Sequence, residues 1–217
     1  MRKRLFSIFY MFVLTLFFTT LVSAVKVFNE EKIETNQRVK LQRIILSVLD
    51  VPINDNTPDP ELVEVFNERV KAIEVKGRTV YVGYGQDGRT VIGYAFSIGG
   101  PGFWGPIYGM VGVDPEASEI LGIAFYKHSE TPGLGARISE PWFTKQFEGL
   151  PLHRIEGDNK IFYLKPEGTG KAPNELDAVT GATGTSRAVE AFVNQELDRF
   201  VQKIRGALKN RRVDQDA

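Results

Sequence analysis

Val70-Lys71-Ala72-Ile73-Glu74-Val75-Lys76-Gly77-Arg78-Thr79-Val80-Tyr81-Val82-Gly83 is the stretch on which the fold turns. β-Branched and aromatic residues fill two short runs, and Lys76-Gly77-Arg78 between them carries the glycine that a tight hairpin turn needs. The spacing predicts strands over 70–75 and 79–83. Downstream, Gln86-Asp87-Gly88-Arg89 turns the chain into a third strand over 90–98. Asp114-Pro115-Glu116-Ala117-Ser118 joins a further pair over 107–113 and 120–126. A short helix is predicted near Glu140-Pro141, because proline is tolerated early in a helix where its missing N–H costs nothing. It would carry Trp142, Phe143 and Phe147 inward. A late strand is expected over 161–164. Over 187–208, Val189, Phe192, Val193, Leu197, Phe200, Ile204 and Leu208 share one helical face. Consecutive hairpins with flanking helices define an α+β fold around an antiparallel sheet.

Upstream of the hairpins the pattern changes. Arg2, Lys3 and Arg4 precede an uncharged run over 5–25, closed by Lys26. A helix of that length spans about 30 Å, the thickness of a bilayer's hydrocarbon core, and reads as a single transmembrane helix. The basic cluster lies before the run and Glu30, Glu31 and Glu34 follow it, so the N-terminus is expected in the cytoplasm and the rest outside. Cleavage after Val22-Ser23-Ala24, as in a signal peptide, is the competing reading. Residues 25–49 read as a charged amphipathic helix, a stalk whose second half packs on the domain, and the segment from Pro52 to Pro60 as a turn-rich linker. The expected division is a tail over 1–4, an anchor over 5–25, stalk and linker over 26–60, and one domain over 61–217.

Composition narrows the chemistry. Of 217 residues, 42% are hydrophobic, enough for a core, and the formal net charge of 0 gives no field for nucleic acid. Cysteine is absent and there are two histidines, His128 and His153, so thiolate catalysis, iron–sulfur clusters and a protein-held metal are not expected. Redox chemistry would have to come from an organic cofactor.

The segment Asp177-Ala178-Val179-Thr180-Gly181-Ala182-Thr183-Gly184-Thr185-Ser186 is a turn rich in small residues and hydroxyls that leads into the last helix. Two glycines allow close backbone approach, and a helix start offers unpaired N–H groups, which together suit a phosphate. The plainer alternative is that Thr185 or Ser186 caps the helix and the glycines merely turn the chain. From Asp177 to Thr183 the run resembles, position for position, the flavinylation signature of FMN-binding domains: Asp, two free residues, Ser or Thr, Gly, Ala, Thr. That family contains the C subunit of sodium-translocating NADH:quinone reductase and the G subunit of the related ferredoxin–NAD reductase. The resemblance implies that a flavin transferase takes FMN from FAD and joins it through phosphate to Thr183, with Asp177 serving transferase recognition.

A second block is similar to the same family. Gly102-Phe103-Trp104-Gly105-Pro106-Ile107-Tyr108-Gly109 precedes Glu130-Thr131-Pro132-Gly133-Leu134-Gly135, which resembles the loop lying against the flavin ring. Candidate cofactor-binding residues are therefore Glu130, Thr131, Leu134, Gly135, Thr180, Gly181, Ala182 and Trp104. The resemblance implies an electron-transfer protein with covalent FMN, one member of a larger complex in the bacterial inner membrane, its domain on the extracytoplasmic side. Its expected partners are the other membrane proteins of a redox-driven ion pump or quinone-linked complex. An independent extracytoplasmic flavoprotein reductase and a flavin-free structural membrane component are the alternatives. Gly168-Thr169-Gly170-Lys171 fails the spacing of a phosphate loop and reads as a plain loop. His128 beside Glu130 could form an acid–base pair or be ordinary polar surface. Trp104 and Tyr108 could stack on a cofactor or belong to the core. Thr183 as a hydrolytic nucleophile lacks a nearby base.

Overall fold

The structure is a computed structural model that describes residues 2–54 and 56–208. Met1, at the head of the expected tail, lies outside the described residues. Two compact units, Met1–Leu41 and Gln42–Ala217, are described separately. Helix α1 (Arg2–Val48) is assigned without a break, so the expected anchor and stalk are one helical element. No proline or glycine interrupts it, and Thr20 and Thr35 return their hydroxyls to the carbonyls of Leu16 and Glu31. Within the first unit its apolar side chains stand exposed from Leu5 to Phe28, and the helix is long and apolar enough to cross a membrane.

The second unit is built on a five-stranded antiparallel sheet in the order β1 (Val70–Val75), β2 (Arg78–Tyr84), β3 (Val91–Pro101), β4 (Pro106–Val113) and β5 (Ile120–Lys127). The expected strands are all present, in meander order. At the first turn Lys76 and Gly77 both take positive φ, 52° and 75°, the geometry that matches the twist of a two-residue hairpin. Helix α2 (Asp59–Arg69) was not expected. Its signal was Pro60 in the first turn and buried Leu62, and the linker is correspondingly shorter.

Both faces of the sheet are covered. On one, helix α4 (Thr183–Lys203) lies along β3, with the rings of Phe96 and Phe200 stacked at 4.2 Å and Phe192 seated over Gly100. Helix α3 (Pro141–Thr144) and Phe143, Phe147 and Phe162 fill the rest of this core. The other face receives the end of α1. Ile45, Leu46, Val48 and Leu49 are buried there, and a Cβ on Gly112 would come within 1.7 Å of the Val48 carbonyl oxygen. Glycines at 93, 112 and 122 thus make a flat seat that side chains would lift. Two-sided burial explains why β4 is buried at five successive residues from Gly109 to Val113 instead of alternating.

The C-terminal part departs from expectation in two places. The late strand is β6 (Tyr163–Lys165), and it pairs in parallel with β7 (Glu175–Asp177), which was not anticipated. The open side of β7 is closed by Gln146, whose side-chain amide accepts from the Asp177 N–H at 2.7 Å and donates to its carbonyl at 3.2 Å. Helix α4 also begins at Thr183, four residues before the expected 187. The apolar face starts only at Val189, so periodicity hid a first turn made of Thr183, Gly184, Thr185 and Ser186.

Candidate functional site

Everything around Thr183 follows from how its neighbours spend their hydrogen bonds. Gly181 takes φ of 79°, a left-handed turn that suits glycine, and Ala182 N–H closes it onto the Val179 carbonyl at 3.0 Å. The Ser186 hydroxyl accepts from the Val179 N–H at 3.1 Å, and the Thr185 hydroxyl donates to Glu130 Oε2 at 2.6 Å. Neither hydroxyl is therefore available to cap α4. Ala182 stands at the cap position without a side-chain bond, so the first-turn N–H groups remain for water or a ligand. Thr183, the first residue of the helix, is exposed.

The other two polar residues of the signature hold one loop. Asp177 Oδ1 accepts from the Gly168 N–H at 2.9 Å, and the Thr180 hydroxyl donates to Glu167 Oε2 at 2.5 Å. The Gly168 loop thus supports the signature turn. Beside it the Lys171 and Ala172 N–H groups donate to Glu175; the Lys171 bond leads in holding that carboxyl below its usual range. A cavity of about 360 Å³ opens between this loop and α4. Leu164, Pro166, Ala178 and Val179 give it an apolar lining, and Thr183, Arg187, Glu167 and Glu190 line it as well. Arg187 sits one helical turn beyond Thr183 and is the one cation of that lining among the described residues. Sequence reading passed over it, although its spacing of four from Thr183 was visible.

On the opposite side the turn is walled by apolar side chains. A Cβ on Gly184 would lie 2.4 Å from the Phe103 ring, and one on Gly181 would lie 3.2 Å from a Leu134 methyl. Phe103 and Leu134 therefore flank the segment that carries Thr183, and both are open to solvent, at 61% and 44%. Trp104 packs edge-on against Phe103 at 5.1 Å and is 67% exposed; Tyr108 is 39% exposed beneath Lys127 at 5.4 Å. Neither Trp104 nor Tyr108 belongs to the core. Phe103 escapes sequence reading because it stands beside the larger Trp104 in the same motif.

The remaining candidates separate into two kinds. Thr131 is exposed and its carbonyl accepts from the Leu134 and Ala136 N–H groups, both at 3.1 Å, which shapes the loop around Gly133. Glu130 and Gly135 are buried instead. His128 does not pair with the Glu130 carboxylate. Its Nδ1 lies 3.3 Å from the Glu130 backbone N–H and its Nε2 3.0 Å from the Ser139 hydroxyl, which donates to the Phe125 carbonyl. The imidazole is a strut between a strand end and the next turn. Among the described residues no cluster of acidic or histidine side chains could hold a metal ion.

The end of the domain that carries Thr183 is therefore an exposed threonine on an uncapped helix start, with solvent-open apolar walls beside it. Residues 102–198 match the FMN-binding domain model. It is 35% identical over 130 residues to the C subunit of the Na(+)-translocating NADH-quinone reductase of Yersinia pestis, covering 57% of this chain and 49% of the relative. The corresponding C subunit of Neisseria meningitidis serogroup A is 36% identical over 112 residues, covering 51% and 42%. The chain thus spans half or less of the length of these two relatives. Among solved structures, the C subunit of the Na(+)-translocating NADH-quinone reductase of Parabacteroides distasonis superposes with a TM-score of 0.64 and 26% identity, covering 77% of this chain and 92% of that one. Shewanella oneidensis NqrC shares the fold, with a TM-score of 0.69 at 23% identity over 81% of this chain and 99% of that one.

Proposed function

We propose that this chain is a membrane-anchored electron carrier in which FMN is esterified through its phosphate to the Thr183 hydroxyl. The observation that carries the reading is the uncommitted Thr183 at the start of α4, where Thr185 and Ser186 have their hydroxyls engaged elsewhere. In attachment, the Thr183 oxygen replaces the AMP oxygen on the FMN phosphorus of FAD, its proton departs and AMP leaves. FMN, when bound, supplies one- and two-electron transfer. The protein's own part is to hold and shield. First-turn N–H groups and the dipole of α4 favour the phosphodiester charge, and Arg187 is placed to neutralise it. Phe103, Trp104 and Leu134 offer an apolar wall for a planar ring, with Thr131 and Gly135 on the same loop. Thr180, Gly181 and Ala182 shape the turn that presents Thr183, and Asp177 fixes the neighbouring loop at a place where a flavin transferase would grip the chain.

The apolar part of α1 supports an anchor, with segments at 1–4 (tail), 5–25 (span), 26–60 (stalk and linker) and 61–217 (FMN domain). Arg2, Lys3 and Arg4 before the span favour a cytoplasmic N-terminus, which leaves the domain outside the inner membrane. The relatives' name supports membership in a sodium-translocating NADH–quinone reductase, with its other membrane subunits as partners. Such an anchor keeps the carrier near those subunits at high effective concentration. The full chain expressed with a flavin transferase and purified in mild detergent should gain the mass of FMN less one water, and partner subunits should co-purify. An unmodified mass in that preparation would remove the covalent carrier reading.

The wall predicts a further result. Leu134→Ala should leave attachment at Thr183 intact while uncovering one side of the ring. Burial of a leucine is worth about 1.5–3 kcal/mol at most, and unequal loss between oxidation states moves a two-electron potential by about 30 mV for each 1.4 kcal/mol. Stronger quenching of flavin fluorescence by iodide and a midpoint displaced by tens of millivolts are expected. Unchanged quenching and potential in the folded variant would exclude Leu134 from the ring's surroundings.

A further inference from the structure

Glu130 stands in the loop that the flavin reading places beside the ring, yet the residue is 5% exposed and both its carboxylate oxygens accept from the protein. Oε1 accepts from the Phe103 N–H at 2.9 Å and from the Trp104 N–H at 3.1 Å. Oε2 accepts from the Thr185 hydroxyl at 2.6 Å. One side chain thus ties the loop after β3 to the first turn of α4, from a third segment that follows β5. The room for it is made by two glycines. A Cβ on Gly102 would lie 2.6 Å from Oε1, and one on Gly135 would lie 2.8 Å from Oε2 and 2.4 Å from the Thr185 hydroxyl oxygen. Gly102, Glu130, Gly135 and Thr185 come from three separate stretches of sequence and meet at one junction. All the donors at the carboxylate are neutral, so the junction is not an ion pair, and acceptor capacity is what the residue contributes.

We infer that Glu130 is a positioning residue: it does not touch the cofactor but sets where Phe103 and Trp104 stand relative to Thr183, and so the depth of the apolar wall. This rests on the flavin reading for its consequence, though not for its geometry. With the clamp removed, two backbone N–H groups lose their acceptor, and the packing of the Phe103 ring on Gly184 is left to hold the exposed loop 103–104 to α4. Glutamine keeps an oxygen for the two N–H groups but turns an NH2 toward Thr185, so the conservative variant should retain the loop and loosen the helix contact.

The test uses the full chain in detergent, with and without a flavin transferase. Without flavin, Glu130→Ala should raise hydrogen exchange at the Phe103 and Trp104 amides about tenfold or more, with Glu130→Gln near wild type. With flavin, Glu130→Ala should keep the covalent mass yet show at least about twofold greater iodide quenching and a displaced potential; a clamp that was merely structural would leave those two unmoved. Thr185→Val should reproduce part of the effect and add little to Glu130→Ala, since both break the same bond. Unchanged amide exchange in Glu130→Ala would overturn the clamp, and faster exchange with unchanged quenching and potential would overturn its role at the ring. Should Glu130→Ala fail to fold, Thr185→Val and Glu130→Gln, which both loosen the α4 contact, decide the role at the ring: unchanged quenching and potential in both folded variants would overturn it. Absence of flavin on the wild-type chain would defeat the carrier reading alone, because the exchange experiment needs no flavin.

Discussion

Thr183→Val should yield a folded chain with no covalent flavin at all. The substitution removes the hydroxyl oxygen that would carry the proposed ester and keeps the shape of the side chain. Thr183 is exposed, so the cost to stability should stay within about 0.5 kcal/mol. Valine's lower helix propensity matters little in a first turn that already lacks a cap. Intact mass and in-gel fluorescence of the denatured protein read the result directly, and circular dichroism checks the fold. The neighbouring hydroxyls make poor substitutes: Thr185 is buried against Glu130, and Thr180 is bonded to Glu167. Flavin retained by the valine variant would show that one of those threonines is the acceptor, and the presentation argued for α4 would be wrong.

The second large effect concerns stability. Gly112→Ala should lower unfolding free energy by about 3 kcal/mol or more, the upper end for overpacking, because the added methyl meets backbone and not a yielding side chain. The nearest atom is the Val48 carbonyl oxygen, 1.7 Å from the ideal Cβ, with the Val48 carbonyl carbon at 2.5 Å. Relief requires the end of α1 to lift from the sheet and expose Ile45, Leu46 and Leu49. For a domain of this size the thermal midpoint should fall by about 6–12 °C. Gly105→Ala is the control, since its Cβ would meet only the Ser129 side chain at an ordinary 3.5 Å. Equal melting temperatures for the two variants would refute the tight seat between helix and sheet.

The parts of this architecture that were legible in the sequence are those written in local code. Hairpins announce themselves by alternation and by turns such as Lys76-Gly77, and the sheet of five strands followed from them. The signature turn was legible because small residues and hydroxyls cluster from Asp177 to Ser186. The parts that stayed hidden depend on contacts made at a distance. β7 has three residues and owes its pairing to β6 and the Gln146 amide, neither of which a local pattern encodes. The start of α4 was placed late because its first turn is polar on every side. Glu130 was recognised as part of the motif, but that its carboxylate faces inward depends on Gly102 and Thr185, residues 28 and 55 positions away. Arg187 carried a usable signal in its spacing from Thr183, and α2 carried one in Pro60.

The meander leaves β1 at an open rim, where only β2 lies alongside it. An unpaired strand margin is a template on which other polypeptides aggregate. Here Lys71 and Glu74 project into solvent from the strand, Ala72 offers little to grip, and Glu74 is bonded to Thr79 across the hairpin at 2.5 Å. Strand stacking from that margin would have to strip water from both charges. Were the chain held in a membrane plane, as proposed, its copies would meet continually, and this border would discourage them from fusing into a shared sheet.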